Sequence, residues 1–283
     1  MLPLVASLGH FIFVLLLSQA ARYLANTFIH NGLYRVAIEE VICTIQLCMN
    51  NFELGVITEV YGFSGYALGL FFTSLSYSFT FENGTADPSE CLGNYCTKQI
   101  DLKEFLWRCA ASLTGAAISY RLSKAFWAFQ LTPAHVLAYQ APQLCTASLQ
   151  VSLMIGALFE GFETLVNRLI QKSEGFNMLT GAVSDVAITF MGLFVSGGYF
   201  NPSLALAMEY GCEGLPFVDY LVVYLAAPMV ATLLAVQIAT PLLALLQAGP
   251  PAESSPTVGL LLAEAAARSP QPQPSVFKKD KQL

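Results

Sequence analysis

The sequence predicts an all-α membrane protein, a bundle of spanning helices joined by two short helices that enter the membrane without crossing it. Three observations predict it. Hydrophobic residues make up 55% of the 283-residue chain and charged residues only 11%, whereas a soluble domain carries about 25% charged residues. Apolar runs near the roughly 20 residues that a bilayer core requires of a helix recur along the chain. Between those runs lie two proline-opened stretches, at 87–89 and 201–203, each followed by too few helix-compatible residues to span.

Seven apolar segments stand out, at residues 2–25, 35–57, 60–81, 105–129, 147–170, 178–200 and 217–246. The first has no basic stretch ahead of it, which argues against a signal peptide. It is expected to be an extra span, or a membrane-associated helix, ahead of a six-helix unit. The second carries Glu39 and Glu40 inside it, and the last contains Pro228 and Pro241. Beyond Gln247 a Pro/Ser-rich linker, a short Ala/Leu-rich piece and a charged end read as a flexible tail.

Basic residues set the expected orientation. Arg22 and Arg35 are placed between the first two segments, Lys98 and Lys103 between the third and fourth, and Arg168 and Lys172 between the fifth and sixth. The loops after the second and sixth segments carry no Lys or Arg. The loops therefore alternate and the C-terminus is expected to be cytoplasmic. Arg121 and Lys124 are exceptions that snorkelling would accommodate. The sequon at Asn83 then falls on the cytoplasmic side and is expected to be unused.

The seven cysteines are scattered and read as small buried hydrophobes rather than disulfides or ligands. His10, His30 and His135 lie far apart and match no metal or triad spacing. No metal site, cofactor or nucleophile–base constellation is expected, so the chain reads as no enzyme. A net charge of −6 gives no basic face for nucleic acid.

The most informative stretch is Gly197-Gly-Tyr-Phe-Asn-Pro-Ser-Leu-Ala-Leu-Ala-Met208. Asn201 reads as an N-cap and Pro202 as the first helical residue. The helix they open is too short to cross a bilayer. Wedged between two spans, it suggests a re-entrant half-helix whose unpaired N–H groups point into the protein. Asp87-Pro88-Ser89 is the best candidate for a second such element, with Asp87 as N-cap. Three spans separate the two, so they would enter from opposite faces and meet near the midplane.

These two boxes, with Asn201-Pro202-Ser203 the clearer, resemble the paired Asn-Pro-Ala boxes of the aquaporin family. The similarity covers roughly residues 36–246 and is greatest to the unorthodox, intracellular branch found in animals, including insects. The resemblance implies an N-terminal extra segment (1–30), a channel domain (31–246) with inverted repeats at about 31–130 and 145–246, and a flexible cytoplasmic tail (247–283). It also implies an intramembrane Glu in the first helix of each repeat, here Glu40 and Glu160, each accepting hydrogen bonds from re-entrant loop backbone. Glu163 is the rival to Glu160, and Asp185 is expected either to anchor a loop or to line the pore. The residues Tyr61, Phe71, Phe72, Tyr77 and Phe81 are expected to serve packing or an interfacial belt.

The departures shape the functional expectation. Where water-selective members carry an Arg after the second box, this chain has Leu204, with Gly198 contributing backbone beside it. The constriction should therefore be more apolar and wider. An ionised Asp87 only accepts hydrogen bonds, whereas Asn also donates. Asp87 is thus expected to weaken cation exclusion or to sit off the pore axis. Glu90 and Asn94 make the first half-helix unusually hydrophilic.

The resemblance implies passive conduction of water or small neutral solutes such as glycerol or hydrogen peroxide. It also implies an intracellular membrane, the endoplasmic reticulum being the expected one, with lipid around the protein and a homotetramer as its assembly. Two other readings stay open at this point. One is a non-conducting protein that keeps the fold. The other is a secondary transporter, which also uses broken helices and midplane carboxylates.

Overall fold

The computed structural model describes residues 2–141, 145–173 and 175–247. The tail expected to be flexible lies outside the described residues. The chain divides into Met1–Pro241 and Leu242–Leu283, and the elements that build the site belong to the first unit.

Helix α1 (Pro3–Phe28) starts with Pro at its first position, where a missing N–H is not needed. Asn31 caps α2 (Gly32–Thr80), its side chain accepting from the N–H groups of Leu33 and Tyr34. The second and third apolar segments both lie in α2, which folds back on itself at a single non-helical residue. Gly62 adopts φ 65° and ψ −166° there, a backbone state that glycine reaches without steric cost. The two arms run antiparallel. Gln46 Nε2 donates to Thr80 Oγ1 at 3.2 Å and Asn50 Nδ2 to the Tyr77 hydroxyl at 3.1 Å. Near the turn, Leu54, Ile57 and Leu70 pack together. Gly69 leaves the space that Leu54 fills, since a Cβ there would collide with its Cδ2. Small residues allow such close approach where lipid supplies no hydrophobic drive between helices.

Helix α3 (Pro88–Cys96) is the first short helix, and Asp101 caps α4 (Leu102–Trp127). Small residues dominate the buried stripe of α4, from Ala111 and Ser112 through Gly115 and Ala116 to Ser119 and Ser123. That stripe lies against the first arm of α2, where a Cβ on Gly115 would come within 2.9 Å of the Val41 carbonyl oxygen. A short helix the sequence did not suggest, α5 (Pro133–Gln140), begins after a Thr132 cap.

In the second half, α6 (Leu153–Gln171) and α7 (Met178–Gly192) are joined by a short connection, and Asn177 with Thr180 closes a capping box on α7. The sixth apolar segment was expected to continue to Phe200. The helix stops eight residues earlier because the N–H groups of Val195, Ser196 and Gly197 all converge on the Gly192 carbonyl. Gly197 (φ 100°) and Gly198 (φ 66°) then turn the chain inward. Helix α8 (Pro202–Glu209) is the second short helix. The last span comprises α9 (Phe217–Tyr220), a π-helical turn (Leu221–Ala226) and α10 (Ala227–Gln247). Pro228 has no N–H to give, and the widened turn before it takes up the mismatch through an Ala227 N–H to Val222 carbonyl bond.

Pro3–Phe28, Gly32–Thr80 and Phe217–Ala239 are long and apolar enough to cross a membrane. On α1 the outward residues Leu4, Val5, Leu8, Ile12 and Leu16 are exposed, as a lipid-facing stripe would be. The inner side of α1 is polar. It runs antiparallel to the first arm of α2, with Ser7 reaching Glu53 and Arg22 reaching Gln46. Arg22, expected in a loop, is therefore inside the helix and only 3% exposed.

One further expectation is corrected, and two histidines distant in sequence are brought together. Cys145 and Cys212 form a disulfide, beside paired backbone bonds from Ala147 N to Glu213 O and from Glu213 N to Cys145 O. Their separation of 67 residues hid that pairing. His10 and His135, 125 positions apart by number, converge on the buried Glu53. Its carboxylate accepts from Ser7 Oγ at 2.6 Å and from Trp127 Nε1 at 2.9 Å. His135 Nε2 lies 3.0 Å from it and His10 Nδ1 3.4 Å. Glu53 thus ties α1, α2, α4 and α5 together.

Replacing Glu53 with Leu strands several buried donors and should cost about 3 kcal/mol. Fluorescence-detected size-exclusion in detergent should show a clearly lowered melting midpoint, with Glu53→Gln losing less. A Leu variant that melts with the wild type would mean that apolar packing alone holds α1.

Candidate functional site

The two short helices have 9 and 8 residues, about 12–14 Å at 1.5 Å per residue, less than half of a bilayer core. The Asp87 side chain accepts from Ser89 N at 2.7 Å, and that of Asn201 accepts from Ser203 N at 2.8 Å and Leu204 N at 3.3 Å. Pro88 and Pro202 occupy the first helical position of each, and both are buried with Ser89 and Ser203. The residue before each cap sits in the left-handed region, Ala86 at φ 54° and Phe200 at φ 36°. Neither is glycine, so each position carries strain of about 1–3 kcal/mol that its surroundings must offset.

Two carboxylates provide that offset in matching ways. Glu40 accepts from Thr85 N at 3.1 Å, Thr85 Oγ1 at 2.9 Å and Ala86 N at 2.5 Å. Glu160 accepts from Ser196 Oγ at 2.8 Å, Tyr199 N at 3.2 Å and Phe200 N at 2.7 Å. The backbone donors are the two residues preceding each cap in both halves. A hydroxyl one turn on bonds back to each carboxylate's own carbonyl, Thr44 to Glu40 and Thr164 to Glu160. Glu163 takes no part in this. Its buried oxygens have no hydrogen-bond partner among the described residues, and it lies against Gly192.

The halves differ in charge. Arg108 pairs with Glu40 at 2.9 Å and also donates to the Asn83 carbonyl. Glu39 accepts from Asn83 N at 2.8 Å, so the sequon backbone is built into the loop. Glu160 has only neutral donors, and the Tyr224 hydroxyl steadies the same loop through the Ser196 carbonyl at 2.6 Å. Sequence reasoning missed the roles of Glu39 and Arg108. Arg108 lies on the small-residue stripe of α4, and a lone cation there was a signal.

The caps meet. Asn201 Nδ2 donates to the Ala86 carbonyl at 3.1 Å. Asp87 has no amide to return an equivalent bond. Its free oxygen is instead paired with Arg168 NH2, which also reaches Ser89 Oγ at 3.0 Å. Arg168 NH1 bonds Glu90 at 2.9 Å and Gln171 at 3.0 Å. Arg168, expected in a loop, is thus a buried member of α6. Glu160, Thr164, Asn167 and Arg168 are all buried on that helix, at i, i+4, i+7 and i+8, a polar stripe that could have flagged the arginine.

A cavity of about 470 Å³ lies along both caps. Its lining includes the charged Asp87, Glu90, Arg168 and Asp185 as well as Gly198 and Leu204. Asp185 accepts from Asn167 Nδ2 at 3.2 Å; it lines the cavity, and no loop-backbone bond to it is present among the described residues. Tyr77 and Phe81, expected in packing or a belt, line the cavity with Tyr66. Gly198 cannot carry a side chain, because a Cβ would come within 2.5 Å of the Thr189 carbonyl oxygen. At the end of α8, Glu209 accepts from Ser148 N at 3.0 Å and from the Tyr199 hydroxyl at 2.8 Å. Together with the disulfide, this fixes the far end of that half-helix.

The comparisons with known proteins agree with this geometry. No protein-family profile matches the chain. It is 51% identical over 247 residues to aquaporin-11 of Milnesium tardigradum, covering 87% of this chain and 91% of that one. Identity to mouse aquaporin-12 is 26% over 249 residues, covering 83% and 85%. Among solved structures, the aquaglyceroporin from Plasmodium falciparum superposes with a TM-score of 0.55 at 19% identity, over 76% of this chain and all of that one. That likeness speaks to the fold alone. A relative sharing half of its residues over most of both chains makes the chain a member of the aquaporin family.

Proposed function

We infer that this chain is a passive transmembrane channel for water and small neutral solutes, with the cavity along the two caps as its pore. The observation that carries this reading is the Asn201 to Ala86 bond, which brings the two half-helix N-termini to one point. Half-helix ends of that kind orient solutes and repel cations. Asn201, Pro202, Ser203, Asp87, Pro88 and Ser89 form the midplane constriction, Leu204 and Gly198 the outer one, and Glu40 and Glu160 hold the loops. Leu204 brings neither the bulk nor the charge of an arginine, which favours passage of glycerol and hydrogen peroxide beside water.

The channel is proposed to lie in the endoplasmic reticulum as a homotetramer, one pore per copy, with lipid around it and the C-terminus cytoplasmic. The Cys145–Cys212 disulfide supports that orientation, since such bonds persist on an oxidising side. Counting spans from Cys212 then puts the end of α10 on the reducing side, together with Cys96 at the end of α3.

Stopped-flow shrinkage of proteoliposomes tests conduction. Water and glycerol fluxes should both exceed those of Asn201→Trp, whose indole fills the constriction. Equal fluxes would favour a protein that keeps the fold without conducting. Leu204→Arg should cut glycerol flux by roughly tenfold, equivalent to about 1.4 kcal/mol of added barrier, while reducing water flux less. An unchanged ratio would remove Leu204 from the constriction.

Orientation is tested separately in sealed microsomes. A membrane-impermeant maleimide should modify Cys96, which is free and exposed. Cys145 and Cys212 should react only after both permeabilisation and reduction. Labelling of that pair from outside intact vesicles would reverse the assignment.

A further inference from the structure

We propose that Arg168 is the fixed cation of this pore, a selectivity-determining residue placed on α6 beside the first cap instead of after the second. The proposal rests on the channel reading. Its starting point is a charge that would otherwise be hard to accommodate. Asp87 is 5% exposed and stands where two half-helix N-termini meet. Each N-terminus contributes roughly half a positive charge, so together they amount to about one. An ionised Asp87 alone would cancel that sum and leave the midplane without a barrier to cations.

Arg168 restores it. Its guanidinium pairs with Asp87 and bonds Ser89 Oγ at 3.0 Å, while its other amino nitrogen reaches Glu90 at 2.9 Å. Arginine stays charged under all ordinary conditions, so the positive charge at the caps is permanent. Glu90, one turn along α3, has a side chain 34% exposed, and water screens it more than it screens Asp87. Asp185, the remaining carboxylate lining the cavity, bonds Asn167. Arg168 Nε is buried without a hydrogen-bond partner among the described residues, so the contacts to Asp87, Ser89, Glu90 and Gln171 all run through its two terminal nitrogens.

The pairing also accounts for a carboxylate at the first cap. An amide at the first cap would donate to the opposite loop, as Asn201 does to Ala86. Asp87 cannot donate, and the guanidinium supplies the donors in its place. Asp87 and Arg168 therefore act as one neutral unit in the place of an asparagine, which leaves the positive ends of the two half-helices uncancelled.

Proteoliposomes carrying an internal pH dye, under a potassium-diffusion potential, read the proton leak. The wild type should be as tight as empty vesicles. Arg168→Gln should raise the leak by roughly tenfold or more, the effect of one unit charge a few ångströms from the path at intermediate dielectric. The double variant Arg168→Gln with Asp87→Asn should be tight again, because it removes the uncompensated carboxylate at the cap. A single variant as tight as the wild type, or a double variant as leaky as the single, would overturn the proposal. If Arg168→Gln cannot be recovered folded, Asp87→Asn carries the test: it should stay tight, and a leak there overturns the proposal equally. Water shrinkage of the same vesicles keeps the two readings apart. Wild-type vesicles that conduct no water reject the channel, whereas conducting vesicles with a tight Arg168→Gln reject only the role of Arg168.

Discussion

The rest of this structure depends on the need to pair every backbone N–H that lies within the membrane. An unpaired polar group in hydrocarbon costs several kcal/mol, so non-helical chain is tolerated there only where protein or a lined cavity satisfies it. Two loops break the helical pattern at depth, ahead of Asp87 and ahead of Asn201. Glu40 and Glu160 each take two consecutive backbone N–H groups and one hydroxyl from those loops. Without them the left-handed turns at Ala86 and Phe200 would have nothing to hold them. The half-helices, the meeting of their caps and the cavity all follow from those bonds.

A buried carboxylate is itself a cost, and the chain offsets it in three ways. Glu40 has a cation, Arg108. Glu160 has hydrogen bonds alone, which disperse its charge over three neutral donors. Glu53 combines a hydroxyl, an indole and two imidazoles at the junction of four helices. That last site explains why α1 belongs to the bundle although its outer face suits lipid. Its inner face brings Ser7, His10 and Arg22, which would be costly to expose to hydrocarbon; Ser7 bonds Glu53, Arg22 bonds Gln46, and His10 is buried beside Glu53. Polar contacts therefore fix where α1 docks, while its apolar stripe serves the solvent outside.

What could be read from the sequence was local. Asn201-Pro202 and Asp87-Pro88 announce helix starts within three residues, and the shortness of the helices they open limits them to half a membrane. Glu40 and Glu160 stand out because a carboxylate inside an apolar run demands an explanation. The features hidden from sequence reasoning are partners distant along the chain. Arg22 and Arg168 look like loop cations at the ends of apolar runs, and only the fold shows that both point inward. Cys145 and Cys212, or His10 and His135, carry no local mark of each other. Gly62 escapes notice for a different reason. The break between the second and third apolar segments falls at Thr58 and Glu59, whereas the chain reverses a few residues later, at one left-handed glycine inside the third segment.

The asymmetry between the halves has its own logic. Around its cap the first half pairs its buried carboxylates with guanidinium groups, Glu40 with Arg108 and Asp87 with Arg168. The second half uses neutral groups at the matching places, hydroxyls and backbone around Glu160 and an amide at Asn201. A carboxylate with a guanidinium can fill the place of an amide because together they offer both acceptors and donors. The exchange is not symmetric in its consequences, however. A guanidinium has more donors than one carboxylate can use, and here the surplus reaches Ser89 and Glu90, binding α6 to α3. The charged cap is therefore also a brace between the two halves. The neutral cap at Asn201 needs no such brace, because its own amide crosses the midplane and Glu209 with the Cys145–Cys212 bond holds the outer end of α8.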